Sequence, residues 1–445
     1  MAEVLVIGGG LAGMAAAAAL GQSGRRVTLL EARPSGGGRA ASYLVPGAEP
    51  GGGTVIDNCQ HILLRCCVNL LDFYRRLGVE SAITFHREFY FIEPGGRTSV
   101  LKAGALPHPL HLAPSFARLK FLHLADKAAV ARGLFAIQRE RGRQDLDRIT
   151  MLDWLREKRQ TPRAIERFWR QVLVSAVNEE LDRMAASHGH QVMRVGFLGA
   201  RHSYEMGVPN VPLGELYGGP AWGAMPGVEL RFRTPVSRLV VRGGRVAGAE
   251  IEGGELTAGH YIAAVPFERF RAIAPEACGE LGLRLDEFEH SPITGIHLWF
   301  GREVTTLPHA TLLDRTVQWF FNKGGGRYLQ LVVSASRTLA EMPRQGVIEL
   351  ALRELAEFLP EVKKAALLKA HVVKEMRATF SARPGLEALR PGARTSIENL
   401  SLAGDWTRSG WPSTMEGAVR SGYLAAEDAA ARLGSAERFL LPGAV

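Results

Sequence analysis

The first patterned stretch, Val4–Ile7, is continuously apolar, as expected of a strand covered on both faces. Gly8-x-Gly10-x-x-Gly13 and an alanine-rich run follow, predicting a tight turn and then a helix. A second apolar run, Val27–Leu30, predicts the next parallel strand, which ends at Glu31. Glycine crowds residues 36–53, and this segment is expected to be a loop. Across 54–78, Leu63, Cys66, Cys67, Leu70, Leu71, Tyr74 and Leu77 recur at helical spacing, and Gly78 is a natural stop. Residues 85–101 suggest short strands broken by Pro94-Gly95-Gly96, and 105–210 is mostly helical in pattern.

The period changes over 228–265, where strands alternate with Gly243-Gly244 and Gly253-Gly254 turns. Strand-like runs return at 293–300 and 317–334. Within the latter, 318–322 and 327–333 flank 323–326 as a hairpin. A helix is expected over 348–359, stopped by Pro360, and 400–433 suggests strand, turn and helix. Dinucleotide-fold elements therefore stand at both ends of the chain. The expected fold class is α/β, with a Rossmann-like domain built from 1–84, 211–275 and 395–445. An inserted α+β substrate domain is expected over 85–210 and 276–394, its helical part facing a membrane.

Composition narrows the picture less than pattern does. At 445 residues, 46% hydrophobic and 22% charged, the chain suits two or three globular domains. Its net charge of +9 is spread along the sequence without a nucleic-acid motif, so a membrane surface is a better partner than DNA or RNA. A generic basic surface explains the charge equally well. Cys59, Cys66, Cys67 and Cys278 form no CxxC pair, no metal site is expected, and a reducing cytoplasm fits. No signal peptide and no run long enough to span a bilayer are expected. Any membrane contact is then peripheral, on the inner face of the cell membrane.

The candidate chemistry begins at the first turn. Gly8 permits the turn, Gly10 lets backbone approach a pyrophosphate, and Gly13 lets helix and strand pack closely. Free N–H groups at the helix start, around Leu11 and Ala12, hold phosphate. Glu31, 18 residues beyond Gly13, accepts hydrogen bonds from ribose hydroxyls, with Ala32 beside it. Gly37-Gly38-Arg39 favours FAD over NAD. Near the C-terminus, Gly404-Asp405 ends a short apolar strand at the carboxyl edge of the sheet. Ser413 and Glu416 have capping-box spacing, so a helix is expected to start there, with Thr414, Met415 and Ala418 in its first turn. Its positive end favours the negative charge of a reduced flavin.

With these motifs the chain resembles the FAD-dependent amine oxidase and phytoene desaturase superfamily. The resemblance rests on Gly8, Gly10, Gly13, Glu31, Gly37-Gly38-Arg39, the strand around Val236, Ala263-Ala264-Val265-Pro266, Gly404-Asp405 and 415–422. It implies that Arg39 helps hold pyrophosphate and that the Val236 backbone meets adenine. It further implies that Asp405 approaches the phosphate and ribityl region and that the last helix meets the isoalloxazine. More narrowly, Asp57-Asn-Cys-Gln-His61, the following stretch to Gly78, and Pro212-Leu-Gly-Glu-Leu-Tyr217 resemble the hydroxysqualene dehydroxylases. Arg65 and Gly214 depart from that pattern, where a small residue and a serine are more usual.

The narrower resemblance implies reductive removal of an allylic hydroxyl from hydroxysqualene, a C30 isoprenoid, to give squalene. An allylic hydroxyl leaves only when protonated, so a general acid is required. His61 is the candidate donor, with Asp57 orienting it or stabilising positive charge. Glu205, Tyr217, His188 and His190 are the alternatives. Two histidines at i and i+2 of a strand would face opposite sides, which argues against a metal site. No second glycine motif follows a strand, since 324–326 lies in the hairpin, so the electron donor is not encoded in the chain. The stretch 105–135, mixing Leu and Phe with Lys and Arg, suits either an interfacial segment or a core-facing helix. Rival functions are a carotenoid-type desaturase or amine oxidase on the same scaffold, a non-catalytic prenyl-lipid carrier, and, last, an NAD dehydrogenase.

Overall fold

The computed structural model describes residues 2–46 and 53–443. Five parallel strands form one sheet in the order Val228–Arg231, Val27–Leu30, Val4–Ile7, His260–Ala263 and Leu400–Leu402. Widely separated segments thus supply one sheet, and every residue of Val4–Ile7 and Val27–Leu30 is buried. The helix Leu11–Gln22 has no polar face, and Ala15, Ala16, Ala17, Ala18 and Ala19 are all fully buried. Small side chains there let the helix Met415–Arg432 come close. A Cβ on Gly422 would lie 2.1 Å from the Ala12 carbonyl oxygen, so only glycine allows the contact.

A second sheet has seven strands, in the order Leu367–Phe380, His290–Phe300, Tyr328–Ser334, Trp319–Gly324, His309–Leu312, Glu88–Ile92 and Thr98–Lys102. All its pairings are antiparallel except that of His309–Leu312 with Glu88–Ile92. Its outer face, including Ile296, Leu298, Leu312 and Leu331, packs on Val347, Ala351 and Leu355 of the helix Arg344–Phe358. Its inner face turns toward Asn58 and Cys59. There Gly295 lies under the Asn58 carbonyl, and an added Cβ would approach that oxygen to 2.9 Å. The helix Arg170–Val177 stands beside this inner face, where Ser175 accepts from Trp319 Nε1.

The turns at Gly243-Gly244 and Gly253-Gly254 join Val236–Arg242, Arg245–Ile251 and Gly254–Leu256 into a small antiparallel sheet, as the alternation predicts. The hairpin over 318–333 also forms. Elsewhere long-range pairing overrides the local pattern. The expected loop at 36–53 contains the paired strands Ser42–Pro46 and Gly53–Asp57, while 47–52 lie outside the described residues. The helical pattern at 54–78 yields a helix only at Val68–Arg76. Leu63–Leu64 instead pair with Met206 and Gly207, which no local spacing announces. His188 and His190 lie on a helix rather than a strand, and burial pushes both down to about 4.

Candidate active site

The first turn leaves room for a phosphate. No side chain caps the helix that begins after Gly10, no acid lies in its first turn, and a Cβ on Gly10 would meet nothing within 4 Å. Open space therefore faces the N–H groups of Leu11 and Ala12 at the positive end of the helix. Gly13 closes the turn from below, since a Cβ there would lie 1.9 Å from the Gly8 carbonyl oxygen. The Glu31 carboxylate accepts from the Gly9 N–H at 2.6 Å and from the Arg33 N–H at 2.8 Å, with Ala32 exposed beside it. A Cβ on Gly38 would approach the Gly10 Cα to 3.0 Å, so the second glycine pair closes over the first turn. The Thr234 N–H donates to the Glu31 carbonyl at 2.9 Å, which brings Val236 to the same end of the sheet. An uncapped helix start, a cleared space and a fixed carboxylate fit a dinucleotide.

The C-terminal motif reaches this end from the other side. Asp405 is buried, paired with Arg39 and hydrogen-bonded by the Ser413 hydroxyl. Burial raises its carboxyl, but the Arg39 guanidinium and the Ser413 hydroxyl outweigh burial and hold it below the ordinary carboxylate range. Ser413 is thus engaged by Asp405, and the residue that caps the last helix is Thr414, whose Oγ1 accepts from the Gly417 N–H at 3.0 Å. Glu416 does not fold back as a capping-box partner. Its carboxylate accepts from the Leu70 N–H at 2.7 Å and from Asn69 Nδ2 at 2.8 Å, tying the last helix to Val68–Arg76. Burial pushes the Glu416 carboxyl upward despite these donors. Gly404, Met415 and Ala418 complete this edge.

An apolar cavity of about 510 Å³ runs between the helical layer and the inner face of the seven-stranded sheet. Leu110, Phe116, Leu134 and Phe135 line it together with Pro412, Thr414, Met415 and Glu416 at the start of the last helix. Phe168, Met193, Phe197 and Trp319 line it as well. Its size lies within the usual range of about 300–1,000 Å³ for small-molecule sites, and its outer end opens among exposed Leu110 and Phe135.

Asp57 and His61 are not among the residues that line this cavity, and they do not hydrogen-bond to each other. Asp57 Oδ1 accepts from the Leu213 N–H at 2.9 Å and from the Ser42 hydroxyl at 2.6 Å. Its Oδ2 lies 3.9 Å from the Lys323 ammonium. The residue that orients His61 is Cys59, whose carbonyl lies 2.9 Å from His61 Nδ1. That contact places the ring proton on Nδ1 and leaves Nε2 as the acceptor of the neutral ring. Burial lowers the His61 pKa more than the Cys59 carbonyl and Asp57 raise it. Its neighbour Ile62 lines the cavity. Lys323, which the sequence marks only as part of the 323–326 turn, reaches Gln60 Oε1 at 3.1 Å.

The alternative acids lie elsewhere. Glu205 is committed to Arg65 at 2.7 Å and to His202 at 2.8 Å. The Tyr217 hydroxyl lies 3.4 Å from that of Tyr74, beneath Gly37. Arg65, one of the two departures, stacks over Phe85 at 3.7 Å. At Gly214, the other, a Cβ would meet Ser42 at an ordinary 3.6 Å. Among the described residues no cluster of three or more His, Cys, Asp or Glu side chains could hold a metal ion. Thr311 and Gln171 also line the cavity. Alternation marks Thr311 as facing one side of a strand, but no local signal tells which polar atoms end without partners.

Residues 11–430 match the family described as flavin containing amine oxidoreductase. The hydroxysqualene dehydroxylase of Rhodopseudomonas palustris is 30% identical over 439 residues, covering 95% of this chain and 97% of that protein. The 15-cis-phytoene desaturase of Solanum lycopersicum is 25% identical over 469 residues, covering 96% of this chain and 77% of that protein. Among solved structures, the cyclohexylamine oxidase from Brevibacterium oxydans shares the fold with a TM-score of 0.67 at 19% identity, over 98% of this chain and 100% of that one.

Proposed function

The chain belongs to the flavin containing amine oxidoreductase family and is an FAD-dependent oxidoreductase; from that premise we propose that it removes the allylic hydroxyl of hydroxysqualene reductively, giving squalene. The observation that carries this reading is the apolar cavity, whose wall includes the start of the last helix. Its walls suit an isoprenoid better than a polar amine. The end-to-end match to a protein named hydroxysqualene dehydroxylase supports the same choice.

In this proposal Gly8, Gly10, Gly13, Leu11, Ala12, Gly38 and Arg39 hold the pyrophosphate, and Glu31 with Ala32 holds the adenosine ribose. The Val236 backbone meets adenine, Gly404 and Asp405 approach the ribityl chain, and Thr414, Met415 and Ala418 meet the ring. Reduced FAD supplies hydride when bound. The protein's part is to orient the chain, exclude water and move a proton. Leu63, Phe89, Phe168 and Trp319 keep the reacting carbon dry. His61 is the proposed proton donor, through Nε2. Because burial keeps the ring neutral, donation requires prior protonation, which the nearby Asp57 and Glu375 carboxylates favour. Asp57 acts through this field rather than by a direct hydrogen bond.

The proposed domains are 1–84, 211–275 and 395–445 for FAD, and 85–210 with 276–394 for substrate. Among the described residues no helix is long and apolar enough to cross a membrane. In the segment 105–135 the helix Leu124–Arg139 buries Ala129, Val130, Gly133 and Ile137, yet leaves Leu124 and Phe135 exposed. Exposed Leu106 and Leu110 and the cations Arg118, Lys120, Arg132 and Arg139 surround them. We propose that this patch docks on the inner face of the cell membrane, so that substrate passes from the bilayer into the cavity.

The test is anaerobic: holoenzyme with chemically reduced FAD and hydroxysqualene should form squalene. No squalene would reject the reaction. Oxidation of phytoene by the same protein with oxidised FAD would favour a desaturase, the reading that the match to phytoene desaturase supports.

A further inference from the structure

Lys323 stands at the turn of a hairpin, where a lysine ordinarily points into water, yet its side chain is only 20% exposed. Its ammonium instead meets the segment 57–61. Nζ donates to Gln60 Oε1 at 3.1 Å and lies 3.9 Å from Asp57 Oδ2. Gln60 Nε2 in turn donates to the His61 carbonyl at 3.2 Å. Asp57 and Gln60 are both buried. One cation therefore ties together two side chains of the segment that carries His61.

The charges around the ring are few. Asp57 Oδ1 is taken by the Leu213 N–H and the Ser42 hydroxyl, both neutral donors. Oδ2 faces Lys323, and among the described residues no other cation lies within 4.0 Å of that carboxylate. The charged groups that His61 feels are Asp57 on its own segment, Lys323 from the strand Trp319–Gly324 and Glu375 from the strand Leu367–Phe380. Cys59 offers its carbonyl, and burial pushes its thiol up to about 12, so that group stays neutral. The two carboxylates favour a protonated ring, and Lys323 opposes it. Burying an ammonium is costly, and burial lowers the Lys323 pKa more than Asp57 raises it. An apolar side chain of similar length would escape that cost but would leave Asp57 unopposed.

We infer that Lys323 is a positioning residue for the proposed proton donor: its ammonium clamps Asp57 and Gln60, holds the segment that carries His61, and offsets the negative charge around the ring. This inference rests on the function proposed above and adds the group that sets the pH at which His61 is loaded. Without the ammonium, Asp57 and Glu375 act unopposed, and the ring takes up its proton at higher pH. Without the Asp57 charge, the ammonium acts against Glu375 alone, and the ring takes up its proton at lower pH. Lys323 is not part of the cavity wall, so it acts through His61 and not on the substrate.

The experiment is an NMR titration of the oxidised holoenzyme with isotopically labelled histidine rings, in which no turnover takes place. The His61 signal is the one missing from His61→Ala. Lys323→Met and Lys323→Gln should each raise the His61 midpoint by about one unit, and Asp57→Asn should lower it by about as much. Lys323→Arg should stay near the wild type, and Asp57→Asn combined with Lys323→Met should return toward it. A side chain that merely filled space would not move the midpoint in opposite directions. Flavin absorbance checks that each variant is folded and loaded, and the polar but uncharged Lys323→Gln gives the answer where Lys323→Met fails to load. A His61 midpoint that stays put or falls on removal of the Lys323 charge overturns the inference. Midpoints that shift as expected, while the pH profile of squalene formation does not follow them, remove His61 as the donor and leave the charge clamp standing.

Discussion

The two sheets handle polar groups in opposite ways. Around the parallel sheet nearly every polar side chain is committed: Glu31 to two backbone N–H groups, Asp405 to Arg39 and Ser413, and Glu416 to Asn69 and Leu70. On the inner face of the seven-stranded sheet, His309, Thr311 and Gln330 are fully buried with side-chain atoms that find no partner. The cofactor end is a finished framework that presents backbone and charge. The inner face of the seven-stranded sheet keeps several buried polar atoms without partners. A site that takes one fixed cofactor can be pre-satisfied, whereas buried polar atoms left unpaired carry a cost in stability.

The largest effect should come from disturbing the framework. Gly13→Ala or Gly422→Ala forces a Cβ to within 1.9 or 2.1 Å of a carbonyl oxygen, and purified protein should lack flavin absorbance altogether. Normal FAD content in both variants would show that the close packing is not what forms the site. Next in size, His61→Ala should lower kcat/KM by roughly 10²–10⁴-fold if His61 is the proton donor. The wild-type rate should then rise as pH falls below about 6.5, the ordinary histidine value, because burial makes the neutral ring dominant above it. A rate independent of pH between 5 and 8 would reject His61.

Stability probes the other half of the comparison. Burial pushes His188, His190 and His260 down to about 4, and His297 and His309 down to about 3. Unfolded histidine titrates near ~6.5, so the unfolded chain takes up protons that the folded one refuses. The stabilising contribution is complete above that value and is lost as pH falls toward the folded values. Denaturant midpoints should therefore drop between pH 6.5 and 4, by roughly a few kcal/mol per histidine at most, and His309→Leu should flatten the slope. The smallest effect is expected at the surface. Leu106→Ser with Leu124→Ser should reduce co-sedimentation with anionic liposomes severalfold, and salt should weaken what remains. Unchanged sedimentation would detach that patch from the membrane.

The same contrast explains what could be read from the sequence. The cofactor end is specified by glycines at fixed offsets and by carboxylates at strand ends, which are local signals. Gly8, Gly10, Gly13, Glu31 and Asp405 therefore stood out, and the parallel sheet followed. The cavity end is specified by contacts between distant segments. Leu63 fits the helical spacing, yet Leu63 and Leu64 pair in a sheet with Gly207 and Met206. Ser413 had the spacing of a cap but was taken by Asp405, leaving Thr414 to do the capping. Asp57 looked like a partner for His61 and is instead occupied by Leu213 and Ser42.

Arg39 and Asp405 are 366 positions apart, and Gly422 rests on Ala12. A ribosome therefore delivers half of the cofactor cradle early and the other half only near the end of translation. Until the strand Leu400–Leu402 and its helix arrive, the first helix has exposed apolar alanines and Arg39 lacks its carboxylate. A chain stopped short of residue 400 therefore lacks both the Asp405 partner of Arg39 and the helix that covers Ala12.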